Sequence, residues 1–168
     1  MFDIEIKAVC DHQDHVRAFL KSTGARFGGI DEQTDVYFKT NNGRLKLRKG
    51  TIEGALVFYK RENIKGVKIS EYTLYESKDP EQLESILRET LGVLVEVVKT
   101  REMYFIDNVK FNIDSVQGLG EFVEIEAMTE NRDDFESLKS TVQYYLDEFK
   151  ISPEDIQSHS YSDLLLKK

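Results

Sequence analysis

The chain of 168 residues has one cysteine, two prolines and a deficit of cations, with 23 Lys and Arg against 31 Asp and Glu. The lone thiol, Cys10, excludes a disulfide framework and suits a reducing compartment. With only Pro80 and Pro153, no proline-rich linker divides the chain, and no repeat or low-complexity tract does so either. One domain spanning residues 1–168 is therefore expected. No apolar run reaches membrane length, and the opening MFDIEIKAVC lacks the basic region and apolar stretch of a secretory signal. A cytoplasmic protein with no membrane partner is the expectation. A net charge of -8 works against nucleic-acid binding, which needs a basic face to neutralise phosphates. A hydrophobic content of 40% is enough to bury a core without disulfides or structural metal.

What the chain does have is alternation of charged and apolar residues, the period of a strand with one wet and one dry face. The pattern recurs at roughly 2–9, 33–40, 44–49, 54–62, 67–76, 94–106, 109–116 and 121–128. Short turn signals separate these segments, among them Asn41-Asn42-Gly43, Asp107-Asn108 and Gly118-Leu119-Gly120, so neighbours run antiparallel. Helical spacing interrupts at about 12–23, with Gly24 as a stop, after the Asp79-Pro80 start, and over about 133–149. About eight antiparallel strands can close into a barrel, which removes exposed edges, and the helices would then pack outside.

The faces carry the chemistry. Asp3, Glu5 and Lys7 share one side of the first segment, with Ile4, Ile6 and Ala8 on the other. Near the end, Glu124 and Glu126 share a face, and Asp114 shares one with Lys110 and Asn112. The segments between carry cations: Lys46 and Arg48, Lys60, Lys68, then Lys99 and Arg101. Alternating Glu and Lys also fits a solvated sheet face with cross-strand ion pairs. Segregation of sign separates the two readings, because a solvated face interleaves charges, whereas here acids gather in the first and last segments and cations between them. If these residues face inward, the interior is wet, the apolar core lies between barrel and helices, and a ligand must meet the charges, since unpaired buried charges cost several kcal/mol each. Hard divalent cations with phosphate oxygens fit such a lining.

These residues are similar to the blocks of the CYTH superfamily, which takes in class IV adenylyl cyclases, thiamine triphosphatases and other triphosphate tunnel metalloenzymes. DIEIKA resembles its ExExK signature, LKLRK its LRxR strand and VFYKR its basic strand. KISEY, VVKTR, FNIDSVQGLGEFVEIEA and SYSDLLL resemble further blocks, in family order along essentially the whole chain. The resemblance implies a mainly antiparallel α+β fold, an eight-stranded closed tunnel with a polar interior and helices outside. It implies Mg²⁺ or Mn²⁺ at Asp3, Glu5, Asp114, Glu124 and Glu126, and substrate phosphates at Lys7, Lys46, Arg48, Lys60, Lys68, Lys99 and Arg101. Glu5, Glu124, Glu126 and Lys60 are the catalytic residues it implies. Asp3 stands in the place of the first signature glutamate, Lys46 where arginine is common, and Lys110 and Asn112 replace a frequent Arg and His.

The expected substrate is a small-molecule triphosphate: ATP, thiamine triphosphate or inorganic triphosphate, handled by a monomer or homodimer. An adenylyl cyclase converting ATP to cyclic AMP and pyrophosphate ranks first. A triphosphatase using a lysine or Tyr37 as base comes second, and a non-catalytic polyphosphate or nucleotide binder third. His12 and His15, beside Cys10, Asp11 and Asp14, are read as solvated helix-start residues and Cys10 as a small buried hydrophobe. SYSDLLL is read either as closing one tunnel mouth or as a simple C-terminal packing segment.

Overall fold

In the computed structural model, which describes residues 2–168, every alternating segment is a strand. These are β1 (Phe2–Val9), β2 (Arg26–Phe38), β3 (Arg44–Gly50), β4 (Ala55–Lys60), β5 (Lys68–Tyr75), β6 (Val93–Ile106), β7 (Val109–Val116) and β8 (Gly120–Thr129). They pair antiparallel into a closed barrel in the order β1-β5-β4-β3-β2-β6-β7-β8, so β1 and β8 lie across the bore from β2 and β3. Helices α1 (Gln13–Ser22), α2 (Pro80–Leu91) and α3 (Phe135–Glu148) pack outside, and α4 (Tyr161–Leu166) follows near the C-terminus. Among the described residues no helix is long and apolar enough to cross a membrane.

β2 starts seven residues before the expected position, at Arg26 rather than residue 33. Gly28 and Gly29 fall in the added stretch, where they form a bulge against β6. A Cβ on Gly28 would sit 2.6 Å from the Phe105 ring, and Gly29 has φ +110°. These glycines shape a strand that a side chain would obstruct.

The core lies on the outer face of the barrel, as the inverted pattern requires. Ile4, Ile6, Phe111, Ile113, Val123 and Ile125 pack against Val16 and Leu20 of α1, Leu138, Val142 and Leu146 of α3, and Phe149 just beyond it. A smaller group of Val36, Phe38 and Leu47 is covered by Leu83 and Leu87 of α2. The histidines at the start of α1 fasten this layer: the imidazole Nε2 atoms of His12 and His15 meet the carbonyls of Phe149 and Glu148 at 2.9 and 3.0 Å. Leu146 is 2% exposed. Leu146→Ala is therefore expected to lose about 2–5 kcal/mol in urea unfolding, the range for a large-to-small change where the surroundings cannot collapse.

Candidate functional site

The barrel encloses a cavity of about 630 Å³. At one end its lining includes the exposed Ile52, Leu74 and Glu76, so that end meets solvent. The other end is closed by α4, whose Tyr161, Leu164 and Leu165 join Tyr37, Tyr59, Val97, Val116 and Phe122 in an apolar plug. Ser160 starts α4 with a reciprocal capping box to Asp163, which fixes the angle of entry. The Tyr161 hydroxyl donates to Asp114 Oδ2 at 2.7 Å, and Lys7 Nζ lies 3.9 Å from the centre of its ring.

On the wall of β2, β3 and β6, cations converge on Asp35. Arg48 donates to both its oxygens, from Nε at 2.8 Å and Nη2 at 2.9 Å. Lys46 and Lys99 donate to Oδ2 at 3.1 and 3.0 Å. Burial alone would raise the Asp35 pKa, but Arg48, Lys46 and Lys99 outweigh it and hold the carboxyl well below its usual range. Lys99 is pushed down to about 7, first by burial and then by Arg48 and Arg101 against the pull of Asp35. Sequence reasoning passed over Asp35, although Gln33, Asp35 and Tyr37 alternate with Val36 and Phe38 in the pattern used elsewhere. Asp31, also unanticipated, shapes the rim: its carboxylate accepts from the amides of Ile52 and Glu53 at 2.9 Å each. Glu53 is thereby held near Arg48 and Lys110, with which it pairs.

Carboxylates dominate the facing wall. Glu5 stands opposite Glu126 in the β1–β8 register and Lys7 opposite Glu124. Glu124 pairs with Lys7 at 2.8 Å and with Arg101 Nη2 at 2.8 Å. These two cations overcome burial and keep its pKa well below the ordinary value. Asp3 and Glu126 behave differently. Asp3 Oδ1 is buried with no hydrogen-bond partner among the described residues. Burial, then the charge of Glu126, holds the Asp3 carboxyl well above its usual range. Burial also raises Glu126, with Glu124 adding to it against the pull of Lys110. Two neighbouring carboxyls that resist ionisation, one with an orphaned oxygen, match in chemistry the oxygen donors that a hard cation takes. Among the described residues no three acidic, histidine or cysteine side chains converge into a ready-made metal site. The arrangement therefore suits a cation held by one or two carboxylates and completed by substrate oxygens.

Three placements differ from expectation. Lys60 is not in the bore: Ala55, Val57 and Tyr59 line the cavity, so alternation turns Lys60 outward beside Phe58. Its neighbour Arg61 takes the inner side and pairs with Glu5. Asp114 faces Arg101 rather than the other carboxylates. Its oxygens accept from Arg101 Nε and Nη2 at 2.7 and 2.6 Å and from Tyr161, which makes it the bracket of a guanidinium. Lys68 is buried, but its Nζ donates to the Gln157 carbonyl at 2.9 Å, away from the main cavity. The Tyr37 phenol, considered as a base, is pushed up to about 12 by burial and by Asp35, which disfavours its ionisation. Asp3, Glu5, Lys7, Lys46, Arg48, Lys99, Arg101, Glu124 and Glu126 do line one cavity.

The chain is similar along its length to known proteins. A curated relative in Methanocaldococcus jannaschii, named as a putative adenylate cyclase, is 27% identical over 98% of both chains. The solved PH1012 protein of Pyrococcus horikoshii OT3 is 28% identical, with a TM-score of 0.75 over 96% of this chain and 98% of its own. A Hippeastrum protein with a dominant triphosphatase activity shares the fold at 16% identity, with a TM-score of 0.66 over 98% of this chain and 93% of its own. The family model for the CYTH domain matches residues 1–161. With that match and a polar tunnel of eight strands, the chain belongs to the CYTH family.

Proposed function

We propose that this chain is a cation-dependent enzyme that holds ATP by its phosphates in the tunnel and converts it to cyclic AMP and pyrophosphate. The observation that carries the proposal is the division of one cavity into two walls. Lys46, Arg48 and Lys99 stand on one side, Asp3, Glu5 and Glu126 on the other, and Arg101 reaches from the cationic wall to Glu124 and Glu126. Asp35 holds the cations in place, so phosphate oxygens meet a preorganised cluster and little ordering remains to be done on binding. Arg101, bracketed by Asp114, offers a guanidinium at a fixed angle. Lys7 and Arg101 restrain Glu124, while Asp3 and Glu126 are the groups best placed to hold Mg²⁺ or Mn²⁺, with Glu5 joining on release from Arg61. When bound, such a cation lowers the pKa of the attacking ribose hydroxyl and offsets charge on the leaving pyrophosphate. The full-length similarity to a relative named as a putative adenylate cyclase supports this choice of reaction.

A triphosphatase is the second reading, and Lys99 favours it. An amine pushed down to about 7 inside the cavity is partly neutral near neutral pH and can take a proton from water. One experiment separates the readings. Purified protein is incubated with ATP, thiamine triphosphate or inorganic triphosphate, each with Mg²⁺ or Mn²⁺, and the products are resolved by chromatography. Cyclic AMP is the expected product. Released orthophosphate alone identifies a triphosphatase, and tight binding without any product identifies a binding module.

Lys99 also gives a test of binding. At pH 8 the free amine is largely neutral, whereas a triphosphate beside it favours the charged form and raises its pKa. Binding at pH 8 is therefore expected to take up protons, and affinity should fall as pH rises above about 7. Calorimetry in buffers of different ionisation enthalpy measures the uptake, which should shrink in Lys99→Met.

A further inference from the structure

Round the tunnel, β1, β2, β3, β6, β7 and β8 each present a charged side chain to the cavity, whereas β4 and β5 line it without a charge. Their inward residues are Ala55, Val57 and Tyr59 on β4 and Ser70, Tyr72 and Leu74 on β5. The cation of β5, Lys68, donates to the Gln157 carbonyl and does not line the cavity. The uncharged sector is continuous, since Val57 stands opposite Leu74 and Tyr59 opposite Tyr72 in the β4–β5 register. It separates the two charged walls, with β3 on one flank and β1 on the other.

Toward the open end the sector broadens. Leu74 and Ile52, from the link between β3 and β4, are 55% and 52% exposed, and Met128 of β8 joins them in the lining. Among the described residues these three take no part in the packed core. Apolar side chains at the mouth of a charged bore gain nothing from phosphate oxygens, but they gain when a ring displaces water from them. One polar atom is set into the sector: Ser70 Oγ is buried and has no hydrogen-bond partner among the described residues. Ser70 stands opposite Asp3 and Val57 opposite Lys46, so the sector adjoins both charged walls. A mostly apolar surface with one placed polar group is the composition of a pocket for a small organic group.

We propose that β4 and β5 form the subsite for the organic half of a nucleoside triphosphate, with the base against Val57, Leu74 and Ile52 and a sugar hydroxyl at Ser70. The subsite rests on the triphosphate walls proposed above and adds what they leave open. A bare inorganic triphosphate satisfies the charged walls and leaves this sector wet, whereas a nucleoside covers it.

The test is calorimetric binding of ATP, 2′,3′-dideoxy-ATP and inorganic triphosphate to the full-length protein in the presence of a chelator. Ile52→Ser with Leu74→Ser, both at largely exposed positions that spare the fold, should weaken ATP about tenfold, equivalent to about 1.4 kcal/mol. Inorganic triphosphate should change by less than about twofold in the same variant. Ser70→Ala should weaken ATP about threefold, the scale of one hydrogen bond, and leave dideoxy-ATP and inorganic triphosphate unaffected. Unchanged ATP affinity in the double variant, equal losses for ATP and inorganic triphosphate, or a Ser70→Ala loss shared by dideoxy-ATP would each overturn the subsite while the phosphate walls stand. A wild-type protein that binds none of the three ligands would instead overturn the walls, and the subsite with them.

Discussion

Arg101→Ala is expected to destabilise the free protein by about 3–5 kcal/mol, the scale for removing one partner of a buried ion pair. The sequence alone suggests a milder result, in which a phosphate-binding residue is lost and the fold is left alone. The structure gives Arg101 another duty. Its guanidinium is 3% exposed and lies between the carboxylates of Asp114 and Glu124, with Glu126 at 4.0 Å. Deleting it strands charges in a bore whose remaining cations are largely engaged, and leaves the buried Asp114 carboxylate with the Tyr161 hydroxyl in place of a guanidinium. The change is therefore felt before any ligand is added. Urea unfolding of the metal-free variant is the measurement, and wild-type stability would show that the carboxylates find other partners. Arg101→Lys should recover only part of the loss, because a lysine has no fork for Asp114.

Glu126→Ala is expected to do the reverse, with stability unchanged or raised and turnover reduced about a thousandfold, equivalent to about 4 kcal/mol of lost transition-state stabilisation. Glu126 sits opposite Glu5 and beside Glu124, and its carboxylate accepts from Asn112 Nδ2 at 3.0 Å. Its carboxyl and that of Asp3 have folded-state pKa values above their unfolded ones. Their contribution to stability is thus fully present below the unfolded values, near pH 4, and is lost as pH rises through the folded values. Removing Glu126 should flatten that acid-to-neutral decline in the metal-free protein. Thermal unfolding between pH 4 and 7, read beside the rate of product formation, checks both halves. Glu5→Ala is not equivalent, although the two glutamates look alike in the sequence. Its loss would leave the buried guanidinium of Arg61 without its carboxylate.

The barrel was legible because each strand announces its faces by alternation and the turns between strands are short. The first half of β2 was not, since Gly28 and Gly29 are a bulge signal and a break signal at once, and only the ring of Phe105 decides between them. Lys60 and Arg61 pose the same kind of problem. Adjacent cations at the end of a strand cannot both face the bore, and the arbiter is Tyr59, an aromatic residue that reads as dry yet lines a wet cavity. For Asp114 the face was right and the partner was hidden, because Tyr161 arrives from 47 positions away. Asp35 was readable by the rule applied to its neighbours. Its importance lies in three cations from β3 and β6, and that convergence exists only once the sheet has closed.

α4 gives the tunnel a direction. A bore capped at one end by Tyr161, Leu164 and Leu165 and rimmed at the other by Ile52, Leu74 and Glu76 has unlike ends. A charged molecule in it is therefore oriented by the frame before any single side chain selects it, with its most polar part drawn between the two walls.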